Sequence, residues 1–273
     1  MHKFPTPIVK LACLSTISLL MLTTYQQSNY AKDEVISLGE PTQLLNRKYT
    51  QEQIDYFLEI ALGSEFGDST ATIKKWAGDV RIKVFGSPTR EDLKTLQAVI
   101  DEINTIANGV HLQIVTNNPS VSIYFVPESK FIQYERNYIP VNLGFFWNSW
   151  DSKNVLYISR ILISTEQVTQ RERSHLIREE LTQSLGLMND SYRYKDSIFY
   201  QGWTDPIQYA EIDKVLLEML YRPDIRPGMT KAEVLKVLKT LETNKYSTST
   251  SNCAPSDTNP ALDFSIAPFC KTR

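Results

Sequence analysis

The run from Asp79 to Val126 switches its hydrophobic period twice, and no other stretch restricts the fold as much. Val80, Ile82 and Val84 alternate with Arg81 and Lys83, the period of a strand with one buried face. Ser87-Pro88 opens a helix in which Leu93, Leu96, Val99, Ile100, Ile103 and Ile106 share one stripe, and Gly109 follows as its C′ residue. Val110–Val115 and Val121–Val126 read as two more strands, with Asn117, Asn118 and Pro119 as the turn between them. Strand, amphipathic helix and strand pair in direct succession predict a sheet with a helix layered on it.

The flanking segments extend this pattern. Thr50 and Gln53 make a capping box ahead of Ile54, Phe57, Leu58, Ala61 and Leu62, and Gly63 ends that helix. Asn154–Ser164 predicts a fourth strand. Thr165–Leu185 predicts a long helix stopped by Gly186. Asp205–Tyr221 and Lys231–Thr240 predict a last pair of helices, the second capped by Thr230 with Glu233. The order predicts an α+β domain over residues 32–245, with a mostly parallel twisted sheet backed by helices. Residues 246–273 are rich in Ser, Thr, Asn and Pro and predict a tail. The chain is 42% hydrophobic and 22% charged, which excludes a wholly disordered, collagen-like or polytopic membrane protein. The formal net charge is −2, with no basic run, so nucleic acid binding finds no support.

The amino end predicts export. His2, Lys3 and Lys10 precede the apolar run Leu11–Leu22, and polar residues follow, the plan of a secretory signal peptide over residues 1–31 with a cut after Ala31. The apolar core is well short of the ~20 residues of a spanning helix. An uncleaved anchor is the alternative. Cys13 lies at the start of that core, where a lipoprotein cysteine would not be. The expected location is periplasmic or secreted, with no membrane segment after cleavage. The mature chain keeps Cys253 and Cys270. An oxidising compartment would join them, for roughly 3 kcal/mol in the chain-entropy model; two free thiols are the other reading. No Cys or His lies near the pair in sequence to complete a zinc site.

The chemically informative stretch is Arg178-Glu179-Glu180-Leu181-Thr182-Gln183-Ser184-Leu185-Gly186-Leu187-Met188-Asn189-Asp190. It resembles the metzincin zinc signature, in which a helix presents two histidines with a glutamate base between them and a glycine turns the chain toward a third histidine. Glu180 stands at the base position and Gly186 at the glycine. Glu179, Gln183 and Asn189 stand at the three ligand positions. The similarity continues at Ser197-Ile198-Phe199-Tyr200, where Phe199 replaces the methionine of the metzincin Met-turn, and at a helix ending Leu220-Tyr221. It covers about residues 75–222 and implies a metzincin-like (zincin) catalytic-domain fold.

A bacterial family of exported proteins of unknown function (DUF2927-like) is similar more closely. The likeness lies at Ile73-Lys74-Lys75-Trp76, at Glu179-Glu180 through Asn189-Asp190-Ser191, and at Leu220-Tyr221-Arg222-Pro223 through Pro227-Gly228-Met229. That resemblance implies a metallopeptidase-like fold and no activity.

One carboxylate and two neutral amides make a poor zinc set. No cofactor is therefore expected. An unusual divalent metal held by Glu179, Gln183 and Asn189 is the alternative, with Glu180 as general base of a peptidase-like hydrolase. Without metal, Gln183 can donate to Glu179, one helical turn away, and Asn189 can complete a polar network. His175 lies one turn before Glu179 and reads as a solvated or capping side chain; His111 points away from the core. Tyr134, Tyr138, Phe145, Phe146, Trp147 and Trp150 cluster in a region that leads, in the metzincin layout, toward the edge strand lining the cleft. They suit a peptide or cell-envelope ligand or, equally, a loop packed over the core.

Overall fold

The computed structural model describes residues 48–62, 71–136, 138, 140 and 142–239. The signal peptide, Gly63, the Cys253–Cys270 pair and the 246–273 tail lie outside the described residues.

Helix α1, Gln51–Leu62, starts at the expected capping box: Gln53 Oε1 accepts from the Thr50 amide, and Thr50 Oγ1 from the Gln53 amide. Strands β1 (Lys75–Trp76) and β2 (Val80–Gly86) follow, then helix α2, Arg90–Ile106. Helix α2 opens later than Ser87-Pro88 suggested, because Thr89 is its N-cap and makes a reciprocal capping box with Asp92. Its stripe is Leu96, Val99, Ile100 and Ile103; Leu93 is exposed. The helix gives way at Ala107, and Gly109 makes the left-handed turn at φ +81°. Strands β3 (Leu112–Ile114), β4 (Val121–Val126), β5 (Gly144–Trp150) and β6 (Val155–Ser164) complete the sheet. Helices α3 (Gln170–Gln183), α4 (Glu211–Leu220) and α5 (Lys231–Lys239) end the described chain.

Strands β3, β2, β4 and β6 are neighbours in that order and all parallel. Strand β5 runs antiparallel to β6 at the edge. Trp76 of β1 and Trp150 of β5 both pair with Leu156, so β1 and β5 flank the start of β6 from opposite sides. The prediction of a mostly parallel sheet backed by helices holds. The five helices bury one continuous core against the strand residues Val80, Ile82, Val121, Ile123, Phe125, Ile161 and Ile163. A smaller cluster of Val126, Phe131, Tyr138 and Leu162, joined by Tyr124, Tyr134 and Phe145, is built by the 3-10 turn Glu128–Gln133 and the residues after it. Among the described residues no helix is long and apolar enough to cross a membrane.

Of the two readings of the aromatic region, an edge strand or a packed loop, Gly144–Trp150 takes the first. Its two faces are both partly covered, so the sequence shows no alternation of apolar and polar residues. Helix α3 begins at Gln170 rather than Thr165. Ser164 Oγ holds a turn through Glu166, and Thr169 with Glu172 forms the capping box that starts the helix.

Candidate functional site

Helix α3 has few apolar residues, yet Arg173, His175, Leu176, Ile177, Arg178, Glu180, Leu181, Thr182 and Gln183 are all buried. The polar ones have specific partners. Segment Asp205–Tyr209, expected to be the start of a helix, instead runs along α3 as a strap. Arg171 pairs with Asp205 at 2.5 Å. His175 Nδ1 donates to the Pro206 carbonyl at 2.9 Å. Arg178 Nε donates to the Ile207 carbonyl at 3.0 Å, and Thr182 Oγ1 meets the Tyr209 hydroxyl at 2.6 Å. Residues 171, 175, 178 and 182 fall on one helical stripe, so the strap satisfies that stripe turn by turn. On the side of α2, Arg173 pairs with the fully buried Asp92 at 2.8 Å. Burial works against the Asp92 carboxylate, but hydrogen bonds from Gln170, Thr89 and Arg173 outweigh it and hold its pKa below the usual range.

The structure separates the three ligand-equivalent side chains. Glu179 Oε2 faces His175 Nε2 at 3.3 Å. Burial disfavours the imidazolium, but Glu179, the Pro206 carbonyl and Asp205 together raise the His175 pKa above its ordinary value. His175 is therefore a buried, doubly bonded ring and not a solvated side chain. Gln183 is fully buried, and its amide donates to Asp190 Oδ1 at 2.6 Å rather than to Glu179. Asn189 turns away toward α1, where its side-chain and backbone N–H groups both donate to the Ile60 carbonyl, at 3.0 and 3.2 Å. That carbonyl lies in the last turn of α1, where no intrahelical donor remains. Glu180 is buried against Gly144 of β5: a Cβ on Gly144 would lie 2.6 Å from Glu180 Oε1 and 2.8 Å from Leu176 Cδ2. His111 is exposed, as expected.

These residues do not fit a divalent metal. One carboxylate is engaged by an imidazole, and one amide is spent on a helix end. The third, Gln183, offers a single neutral oxygen. Among the described residues no three His, Cys, Asp or Glu side chains converge as metal ligands.

The remaining motif residues carry the junction around α3. Gly186 has φ +122°, and a Cβ there would run into the Lys74 carbonyl, so only glycine fits. Trp76 Nε1 donates to the Ser184 carbonyl at 3.1 Å and the Tyr221 hydroxyl to the Leu185 carbonyl at 3.0 Å. Both acceptors lie just beyond the last turn of α3. Lys75 Nζ donates to the carbonyls of Leu220 and Ile225 at 2.7 and 2.8 Å, closing the end of α4, and lies over the Tyr221 ring. Burial pushes its pKa down to about 8. Ile73 exchanges backbone hydrogen bonds with Met229 and Gly228. The three sequence blocks, 73–76, 179–191 and 220–229, thus meet in one clamp. In the Ser197–Tyr200 turn, Ser197 Oγ donates to the fully buried Asp213 at 2.6 Å and meets the Tyr56 hydroxyl at 2.9 Å; Phe199 is fully buried. Burial outweighs the hydrogen bonds from Ser197, Ile198 and Ala210 and pushes Asp213 up to about 6.

One feature of the seam between α3 and β5 had no sequence signal. Asn148 is buried in β5, and neither side-chain atom has a hydrogen-bond partner among the described residues. Its type and spacing are those of any surface asparagine, and only the register of β5 turns it inward.

A mixed α/β domain with a parallel sheet, an antiparallel edge strand and a motif helix packed beneath that edge defines the class. The chain belongs to the family described as protein of unknown function (DUF2927), whose model matches residues 50–240. No curated protein matches it in sequence. Two solved structures of myroilysin are similar at 10% identity and a TM-score of 0.35; one match covers 55% of this chain and 83% of that structure, the other 64% and 97%.

Proposed function

We propose that this is an exported binding protein of the bacterial envelope, acting without catalysis through the seam between α3 and β5. Its ligand would be an extended peptide or a peptide-bearing envelope component. The observation that carries this reading is the commitment of Glu179 to His175, of the Gln183 amide to Asp190 and of Asn189 to Ile60. At the same place β5, which pairs on one side only among the described residues, lies beside α3, and such an edge is a ready peptide-binding element. Export, cleavage after Ala31 and the Cys253–Cys270 disulfide belong to the same proposal.

The test is elemental analysis of the mature protein, exported in its own compartment and purified without chelator. The expected result is no stoichiometric metal, a thermal midpoint unchanged by chelator, and saturable binding of blocked peptides. About one equivalent of a single divalent metal, lost in Glu179→Ala, would shift the case to a metal-dependent hydrolase. In that second reading Glu180 is the general base. The reading further requires peptide hydrolysis with added metal that Glu180→Gln abolishes.

A further inference from the structure

Side chains alternate along β5, and the register shift near its end leaves the extra residue on β6. Gly144 lies against Glu180 and Leu176 of α3, and Phe146 and Trp150 pack on the main core. Asn148 therefore lies on the same face of β5, and Gln183 lies on the same face of α3 as Leu176 and Glu180. Asn148 is 92% buried (8% relative exposure), and neither its Nδ2 nor its Oδ1 has a partner among the described residues. On α3 the fully buried Gln183 has its amide nitrogen on Asp190 and its Oε1 without a partner among the described residues. The two amides do not bond each other. The seam thus holds one buried donor and two buried acceptors, flanked by the half-buried rings of Phe146 and Trp150. Folded proteins rarely leave such groups unmatched.

We propose that Asn148 and Gln183 form an amide-recognition subsite. Asn148 takes the N–H and C=O of one residue of an extended chain as a matched pair, Gln183 Oε1 accepts from a further N–H on the same side of that chain, and the ligand's apolar side chains lie on Phe146 and Trp150. A single ammonium or metal ion would leave the Asn148 donor facing a cation. A residue in an extended chain presents its N–H and C=O on one side, the complementary donor and acceptor together. This inference rests on the reading of the seam as a peptide site and specifies what that site recognises.

The experiment uses the 15N-labelled mature chain and a blocked alanine tetrapeptide. The side-chain NH2 signals of Asn148 and Gln183 should shift saturably. Asn148→Leu should bind about tenfold more weakly while melting at a higher temperature, because a buried unmatched amide has been removed. Gln183→Met gives an independent reading if the first variant does not fold. Shifts confined to other residues would overturn the subsite and leave the peptide reading in place. No shift anywhere would overturn both. A lower melting temperature for Asn148→Leu, with unmoved NH2 signals, would mean that the amide serves an internal water only.

Discussion

Asp213 and Lys75 are both buried at helix ends, and their protonation sets opposite pH trends. Burial raises Asp213 to about 6, so between its unfolded value near ~4 and that point the folded chain holds a proton the unfolded chain has lost. Its contribution is largest in acid and declines as the pH rises through 6. The stability gap between the native protein and Asp213→Asn should narrow by roughly 2–3 kcal/mol between pH 4 and 7, read from urea midpoints. Lys75 is lowered to about 8. From there to about 10 the unfolded chain binds the extra proton, so stability rises with pH, and Lys75→Met should abolish that rise. The same substitution leaves the Leu220 and Ile225 carbonyls without their donor and should cost about 1–3 kcal/mol at pH 7. Glu179→Ala strands His175 Nε2 and should cost a similar amount, about 1–3 kcal/mol.

At the scale of elements, α3 and β5 depend on each other through a missing methyl group. Gly144→Ala would press a Cβ onto Glu180 Oε1 and Leu176 and should destabilise by about 1–3 kcal/mol. Glu180→Ala, which empties that space, should recover part of the loss when combined with it, and a double-mutant cycle on thermal midpoints measures the coupling. Elements with a clean period were legible: β2, β4 and β6 by alternation or apolar runs, α1 and α2 by stripe and capping box. Strand β5 was not, because a strand covered on both faces carries no alternation. Helix α3 was legible as a helix through Gly186 and its length. Its burial was not, since the strap Asp205–Tyr209 satisfies a polar stripe that reads as solvent-facing. The polar residues Glu179, Glu180, Gln183 and Asn189 were legible as a spaced motif on and after one helix. Where each side chain turns depended on Ile60, Asp190 and Pro206, which lie outside the motif's ligand positions.

For the whole molecule, the three blocks 73–76, 179–191 and 220–229 meet at the clamp of β1 with the ends of α3 and α4. Their side chains serve largely to hold the frame together. Trp76→Phe keeps the ring and removes the donor to Ser184. It should cost about 1–2 kcal/mol without altering peptide binding, whereas substitutions at Asn148 should do the reverse. Calorimetry with the same blocked peptide separates the two outcomes.

The clamp also joins parts of the chain made far apart in time. Residues 73–76 pair with the start of β6, but their side-chain bonds and the Ile73 backbone bonds are closed by residues 184–229, so β1 is not fully fastened until the end of α4 and the segment after it have been made. The first strand of the sheet is thus among the last to be secured, and the order in which the chain is made is not the order in which its frame closes.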